Sequence, residues 1–264
     1  MPSYLPVTAL SRGLDVLRVV NSLGEATVAD IHKQTGLHRA TVVRMLETLE
    51  HEGYVARRSG TARFMVRGRV LQLSNGYRAH ERVAQLAEPI LSDMRARLGW
   101  PSDIAIPDGD AMLIALTSRT ANHMMLNRRL GTRAPMMASS LGRAYLANCP
   151  DAERAEILDR LKKSPDAFDK AASDAKAVDA IVRATRKQGY AVPDEAYSRA
   201  MYQSVTSGFA VPVLAGDAVV GSVNLIFLTS TINQKDAVAN LLPSLRKAAA
   251  KLGAVIAADA QQRA

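Results

Sequence analysis

Cysteine is nearly absent from this chain. Its 264 residues include a single one, Cys149, which excludes an intramolecular disulfide. The sequence also contains no run of about 18 apolar residues and no signal-peptide pattern at its start, so neither a membrane span nor secretion is indicated. We therefore expect a cytoplasmic protein that does not associate with a membrane.

Motifs of catalysis and metal binding are also missing. No G-x-S-x-G elbow and no glycine-rich phosphate loop is found. The histidines show no metal-ligand spacing, and one cysteine adds no zinc site; they are His32, His38, His51, His80 and His123. We predict no cofactor, no metal and no catalytic residue. The competing reading is a hydrolase, because suitable residue types are present in Ser139, Ser140, His123 and Cys149.

Positive charge is abundant and unevenly distributed. The 34 Lys and Arg exceed the 25 Asp and Glu, which gives a net charge of +9. Residues 1–80 hold 11 basic and 6 acidic side chains, whereas the other 184 residues hold 23 and 19. Because the charge is concentrated in the smaller part, that part is expected to bind nucleic acid. The chain length allows two domains of ordinary size.

The segment 27–67 predicts a helix-turn-helix followed by a basic β-hairpin. A helix over 27–34 ends at Gly36, a second helix spans 38–51, and two β-prone runs flank Ser59 and Gly60. On the second helix an inward apolar stripe follows helical spacing: Val42, Met45, Leu46 and Leu49. An ordinary three-helix cluster with a solvated polar face would show the same spacing.

The outward face of the second helix has the chemistry to enter a DNA major groove. The residues predicted to lie nearest the base edges are Arg39, Thr41 and Arg44, and His38 is predicted to contact DNA as well. Those predicted to contact phosphates are Arg12, Arg57, Arg58 and Arg63. An alternative for Arg44 is an ion pair with Glu47 within the helix.

Residues 7–66 resemble the DNA-binding domain of the IclR family of bacterial transcriptional regulators. The resemblance is carried by the opening helix from Leu10 to Leu17, by the turn and recognition helix GLHRATVVRML, and by Gly53-Tyr54-Val55. One departure is Ala40, where the family often has a serine. We expect His38 or Arg39 to take over the role of that hydroxyl.

The resemblance extends along nearly the whole chain and implies an α+β protein of three parts. These are a winged helix-turn-helix domain (1–67), a helical linker (68–98) and a GAF-like effector-binding domain with a six-stranded antiparallel sheet (99–264). The linker helix could equally be the first helix of the second domain. The β-prone runs and amphipathic helices after Pro101 agree with an α+β domain. They include a possible strand at 122–126, a helix over 174–188 capped by Ser173, and a last helix that Pro243 kinks or restarts.

The effector site implied by the family lies in the second domain. A polar dipeptide before a helix suits an anion, and an amide on a strand that is otherwise apolar is costly to bury without a partner. The predicted residues are Ile104, Ile106, Met137, Ser139, Ser140, Leu141, Ser222, Asn224 and Ile226. Met136 could extend the apolar wall, and Arg128 and Arg129 could anchor a carboxylate or form a solvated turn.

Two readings of the second domain stay open. The resemblance is closest to regulators of aromatic-acid catabolism, which implies a small aromatic carboxylate as effector and double-stranded operator DNA bound by a homodimer or tetramer. The alternative is a winged-helix regulator whose second domain only oligomerises or senses an aliphatic organic acid. In that case Ser139 and Ser140 would be a simple helix cap, and Asn224 would pair with a neighbouring strand.

Overall fold

The computed structural model describes residues 4–76, 79–118 and 131–262. The possible strand at 122–126, Arg128, Arg129 and His123 lie outside these ranges. The chain divides into two compact units, Met1–Arg78 and Ala79–Ala264. Among the described helices, none is long and apolar enough to cross a membrane.

The first unit is a winged helix-turn-helix. Its helices are α1 (Thr8–Leu23), α2 (Val28–Thr35) and α3 (Arg39–His51), and its strands are β1 (Glu25–Thr27), β2 (Val55–Arg57) and β3 (Arg63–Val66). The strands form an antiparallel sheet in the order β1-β3-β2. A 3-10 helix, Gly68–Ser74, follows.

Local signals set the ends of α2. The side chain of Thr27 accepts a hydrogen bond from the backbone N–H of Asp30, and the carboxylate of Asp30 accepts one from the backbone N–H of Thr27. This capping box satisfies two N–H groups that have no partner within the helix. Gly36 ends the helix in the left-handed conformation, at φ 69°. The apolar stripe of α3 faces the core as its spacing predicts: Val42 and Leu46 are fully buried. Strand β1 was not predicted, because three residues leave no periodic signal.

The second unit is a five-stranded antiparallel sheet, within the described residues, with helices on both faces. Its strands are β4 (Asp103–Asp108), β5 (Ala111–Thr117), β6 (Arg133–Pro135), β7 (Thr206–Ala215) and β8 (Ala218–Leu228). They run in the order β6-β5-β4-β8-β7. The helices are α4 (Ala79–Leu98), α5 (Ser140–Asn148), α6 (Asp151–Leu161), α7 (Ala175–Gln188), α8 (Glu195–Tyr202) and α9 (Gln234–Gln261).

Two hydrophobic cores lie on opposite faces of this sheet. On one face α4 and α9 pack against alternate residues of β8, namely Val223, Leu225 and Phe227. On the other face α5 and its neighbours pack against residues that include Ala105, Ile114 and Ala210. Helix α4 thus contributes to the core of the second unit, which is compatible with either role predicted for it.

One local prediction in this unit is wrong. Helix α7 is capped by Asp174, whose carboxylate accepts from two backbone N–H groups, and not by Ser173. Helix α9 runs through Pro243 as one element, so the helix does not restart there.

A buried carboxylate, Asp169, lies in the 3-10 helix Ala167–Ser173. One of its oxygens has no hydrogen-bond partner among the described residues, and burial raises the pKa of this side chain. Because the pKa of Asp169 is higher in the folded than in the unfolded protein, protonation of this side chain stabilises the fold. The contribution is complete below the pKa of the unfolded chain and is lost as the pH rises through the pKa of the folded protein.

Asp169→Asn should therefore raise the Tm at pH 7, because a neutral amide has no ionised form to bury. The advantage should disappear as the pH falls below the ordinary aspartate value of 3.8. Thermal melts of both proteins between pH 3.5 and 8 would check this. A difference in Tm that does not change with pH would contradict it.

Candidate DNA interface and effector cleft

Helix α3 presents the predicted DNA-reading side chains to solvent. Arg39 and Arg44 are exposed and Thr41 is half-buried, in agreement with a polar face opposite the core. His38 is the N-cap, and its Nδ1 accepts from the N–H of Ala40 at 3.4 Å. His38, and not Arg39, therefore supplies the helix cap that a serine at position 40 could have provided.

Arg44 forms no ion pair among the described residues of the first unit. Within residues 4–76 the ion pairs join Arg18 to Asp15 and Arg58 to Glu25, so the alternative pair of Arg44 with Glu47 is not formed. A planar guanidinium on an exposed helix face can donate two parallel hydrogen bonds to guanine.

The hairpin β2–β3 forms the wing, and its arginines are exposed but not equivalent. The Nε of Arg57 donates to the carbonyl of Thr61 at 3.2 Å, and its guanidinium lies 6.0 Å from the centre of the Phe64 ring. Arg58 forms an ion pair with Glu25 of β1. Arg63 lies near Asp30 and helps to lower the pKa of that carboxyl, which hydrogen bonds from Thr27 lower most.

Two further arginines of the first unit are Arg12 and Arg69. Arg12 lies exposed on α1, which packs against α3. Arg69, which sequence analysis missed, donates to the carbonyl of Glu52 at 2.6 Å and lies 5.2 Å from the Tyr54 ring. The positive charge of Arg69 at the C-terminal end of α3 interacts favourably with the helix dipole. Arg69 therefore links the recognition helix to the segment that follows the wing.

In the second unit a narrow cleft lies between the start of α5, helix α8 and the strands β7 and β8. Three of the predicted effector residues line it: Ser140, Asn224 and Ile226. The others that line it were not predicted: Pro193, Tyr197, Ser198, Tyr202, Thr206, Ser207 and Gly208. None of the ten lining residues carries a charge.

The remaining predicted effector residues lie behind the cleft. Met137 and Leu141 belong to the core under α5. Ile104 packs in the opposite core, toward α4 and α9. Ile104 pairs with Val223 of β8, which packs in the same core, and Ile106 is buried and absent from the cleft lining. Ile104 therefore does not form a wall of this cleft.

The polar residues at the inner end of the cleft are already partly engaged. The side-chain oxygen of Asn224 accepts from the N–H of Asp103 at 2.7 Å, and its amide donates to the Asp103 carboxylate at 3.2 Å. The side chain of Ser139 caps α5 by accepting from Gly142. These bonds agree with the alternative interpretation of the sequence, in which Asn224 pairs with a neighbouring strand and Ser139 caps a helix. Ser222 is fully buried on the same strand and does not line the cleft.

Arg143 joins the two walls of the cleft. It donates to the carbonyl of Met137 at 2.7 Å, before α5, and to the carboxylate of Asp194 at 3.0 Å. Asp194 in turn caps α8 by accepting from Ala196 and Tyr197. Burial lowers the pKa of Arg143. Because this guanidinium is bonded to the protein and does not line the cleft, an anion in the cleft would be met by hydroxyls, an amide and the N-terminus of α5.

Of the residue types that suggested a hydrolase, Ser139 and Cys149 are not available for nucleophilic chemistry in the described part of the chain. Cys149 is buried, and burial raises the pKa of its thiol to about 11, so the thiolate is disfavoured. The hydroxyl of Ser139 is occupied as the α5 cap. Sequence could have suggested the wall formed by α8, because Asp194 stands at a helix start and is followed by two tyrosines.

The sequence matches the IclR helix-turn-helix domain over residues 9–59 and the C-terminal region of the bacterial transcriptional regulator IclR over residues 76–254. The transcriptional repressor IclR of Escherichia coli (strain K12) is 25% identical over 202 residues, which are 75% of this chain and 73% of that protein. The Pca regulon regulatory protein of Pseudomonas putida is 26% identical over 249 residues, 93% and 83% of the two chains.

The fold is similar to that of solved structures. An IclR homologue from Microbacterium hydrocarbonoxydans, solved in complex with 4-hydroxybenzoate, is 20% identical and has a TM-score of 0.64. The match covers 95% of this chain and 100% of that chain. The similar proteins named here are regulators, not enzymes. With both domains matched and a winged helix-turn-helix followed by an antiparallel sheet, the chain belongs to the IclR family of bacterial DNA-binding transcriptional regulators.

Proposed function

We propose that this regulator controls a catabolic operon in response to a small carboxylate, with aromatic acids preferred, that binds in the cleft beside Asn224. The observation that carries the proposal is the lining of this cleft. It combines an uncharged polar inner end with the tyrosines of α8, whose rings lie 5.9 Å apart in a T-shaped pair. Apolar and aromatic walls around a few polar groups are typical of small-molecule sites.

Two comparisons support an aromatic acid. The similar protein from Pseudomonas putida is a Pca regulon regulatory protein, and the homologue from Microbacterium hydrocarbonoxydans was solved with 4-hydroxybenzoate. A carboxylate or phenol in the cleft would accept from the serine and threonine hydroxyls and from backbone N–H groups at the start of α5. No cation of the lining would be needed.

The mechanism is linkage between the effector and the DNA. An effector that binds two conformations with different affinity shifts operator affinity, typically by about 1–3 kcal/mol. Residues 1–67 would bind a palindromic operator, and the helical residues 68–98 would connect them to the effector domain over 99–264. On each monomer Arg39, Thr41 and Arg44 would approach base edges, while the wing arginines and Arg12 would contact phosphates.

A thermal-shift screen against carboxylic acids tests the effector proposal. An acid present at 100 times its Kd should stabilise the protein by roughly 2.7 kcal/mol, which is visible as a raised Tm. We expect benzoates, phthalates or phenylpropionates to raise the Tm, and a Tyr197→Ala or Asn224→Leu variant to lose the shift. If only aliphatic acids raised the Tm, the protein would still be a ligand sensor, but the proposed preference for aromatic acids would be wrong. No response across the panel would favour a domain that only oligomerises.

The working form would be a homo-oligomer, and α1 supports this. Val7, Leu10 and Leu14 follow one another at helical spacing and are 67%, 63% and 56% exposed. An exposed apolar stripe of this kind is a candidate subunit contact.

Leu10→Glu combined with Leu14→Glu should therefore lower the molar mass in solution, because charges cannot be buried between two copies of α1. Light scattering coupled to size exclusion would measure it, with Leu71→Glu as a control that changes an exposed leucine outside α1. An unchanged mass for the α1 variant would place the contact elsewhere.

A further inference from the structure

One arginine of the wing is held by an acidic residue within the same unit. The Nη1 of Arg58, just after β2, forms an ion pair with the Oε1 of Glu25 at the start of β1, 33 positions earlier in the chain. Among the described residues this is the only side-chain bond of the Glu25 carboxylate. The two side chains are 57% and 32% exposed, so the pair is accessible to solvent and to DNA.

The hairpin fixes the position of Arg58. Its backbone N–H donates to the carbonyl of Arg63 at 2.9 Å, and its own carbonyl accepts from Thr61 at 3.1 Å. Strand β3 lies between β1 and β2, and Glu25 is paired with Met65 of that strand. The side chain of Arg58 therefore reaches Glu25 from a fixed point on the wing.

Glu25 differs from Asp30, and from Glu50, which accepts from the backbone N–H of Arg57 at 3.0 Å, in having no evident structural task. The carboxylate of Asp30 completes the cap of α2 through two bonds to Thr27. The carboxylate of Glu25 binds Arg58 and caps nothing. An exposed ion pair contributes little to stability. The pair of Glu25 and Arg58 does, however, reduce the positive charge that the wing presents to DNA.

We propose that Glu25 is a specificity-determining residue, which holds Arg58 in the free protein and on arbitrary DNA and so lowers affinity for non-specific sequence. On the operator, where α3 docks fully, a phosphate displaces Glu25 from Arg58. The inference rests on the proposed role of the wing in phosphate binding. Each phosphate that a cation neutralises releases counterions and steepens the dependence of log K on log salt by about 0.9.

The test measures binding of a fluorescent random-sequence duplex between about 50 and 300 mM salt by the full-length protein and four variants. The variants are Glu25→Gln, Arg58→Ala, the double variant, and Asp15→Asn. The last is the matched control, because it removes an acid from the exposed pair of Arg18 and Asp15 on α1, at 2.9 Å.

We expect Glu25→Gln to steepen the salt slope by about 0.9 and to raise affinity roughly five- to ten-fold at 0.1 M salt. The double variant, Arg58→Ala and Asp15→Asn should keep the slope of the wild type. The second duplex is the one that the wild type enriches from a randomised pool. Glu25→Gln should raise the affinity for this duplex by a smaller factor than for random DNA. The preference of the variant for the selected duplex over random DNA should therefore fall several-fold.

A Glu25→Gln slope equal to that of Asp15→Asn would overturn the proposal, and so would a gain that persists in the double variant. Weaker DNA binding by Glu25→Gln would overturn it as well, because Glu25 would then orient Arg58 for DNA. If the wild type showed no salt-dependent binding at all, the assignment of the wing to phosphates would fail instead.

Discussion

Arg44→Ala should reduce the preference of this regulator for its operator by roughly five- to 150-fold, the equivalent of about 1–3 kcal/mol for one bidentate base contact. Arg44 is exposed on α3 and has no ion pair within residues 4–76. Its replacement therefore removes a donor that we expect to face the groove, and it leaves the core under α3 unchanged. The measurement compares affinity for the duplex selected by the wild type with affinity for random DNA at a fixed salt concentration.

Arg18→Ala is the control for this prediction, because it removes the same charge from an exposed position on α1. We expect it to weaken both duplexes by a similar, small factor. Circular dichroism should show that both variants stay folded. If Arg44→Ala weakened the two duplexes equally, Arg44 would contact phosphate, and base recognition would have to come from Arg39 or Thr41.

Gly142→Ala should destabilise the second unit by about 3 kcal/mol, at the upper end for an overpacked site. A Cβ at this position would lie 2.4 Å from both the Cα and the carbonyl oxygen of Met136 and 2.6 Å from the carbonyl oxygen of Pro135. These are backbone atoms, so no rotamer change relieves the contact. For a unit of this size the Tm should fall by about 6–12 °C.

The start of α5 would also move in this variant, because Gly142 donates its N–H to the Ser139 cap. The response of the Tm to an effector should weaken in parallel. Gly13→Ala is the matched control, since its new Cβ would meet only the sulfur of Met45 at an ordinary 3.8 Å. It should be neutral or stabilising by up to about 1 kcal/mol through helix propensity. A Gly142→Ala protein as stable as the wild type would contradict the close approach.

Sequence reasoning succeeded where local signals are strong. The helix-turn-helix is specified by a capping box at Thr27, by Gly36 and by an apolar stripe of helical period, all within one short segment. The alternation along β8 likewise placed Asn224 on the face opposite Val223 and Leu225, before any contact was known. Both results follow because side-chain direction is fixed by position within a regular element.

Prediction of the cleft was less complete, because its walls come from distant parts of the chain. Helix α8 has only eight residues, too few for a clear period, yet it supplies Tyr197 and Tyr202. The strand pairing that places Ile104 beside Val223, on the face away from the cleft, carries no signal in the sequence. The pairing of Glu25 with Arg58 has the same origin, since an ion pair across 33 positions is visible only after the sheet is formed.

By itself the sequence determined the family, the position of the recognition helix and the division into a basic DNA-binding part and an α+β part. These depend on short-range periodicity, caps and charge, each of which is written in consecutive residues. The tertiary structure alone decided which polar groups meet: Asn224 with Asp103, Arg143 with Asp194, and Arg58 with Glu25. Such pairs depend on strand order and helix packing, which bring together residues whose spacing along the chain carries no periodic signal.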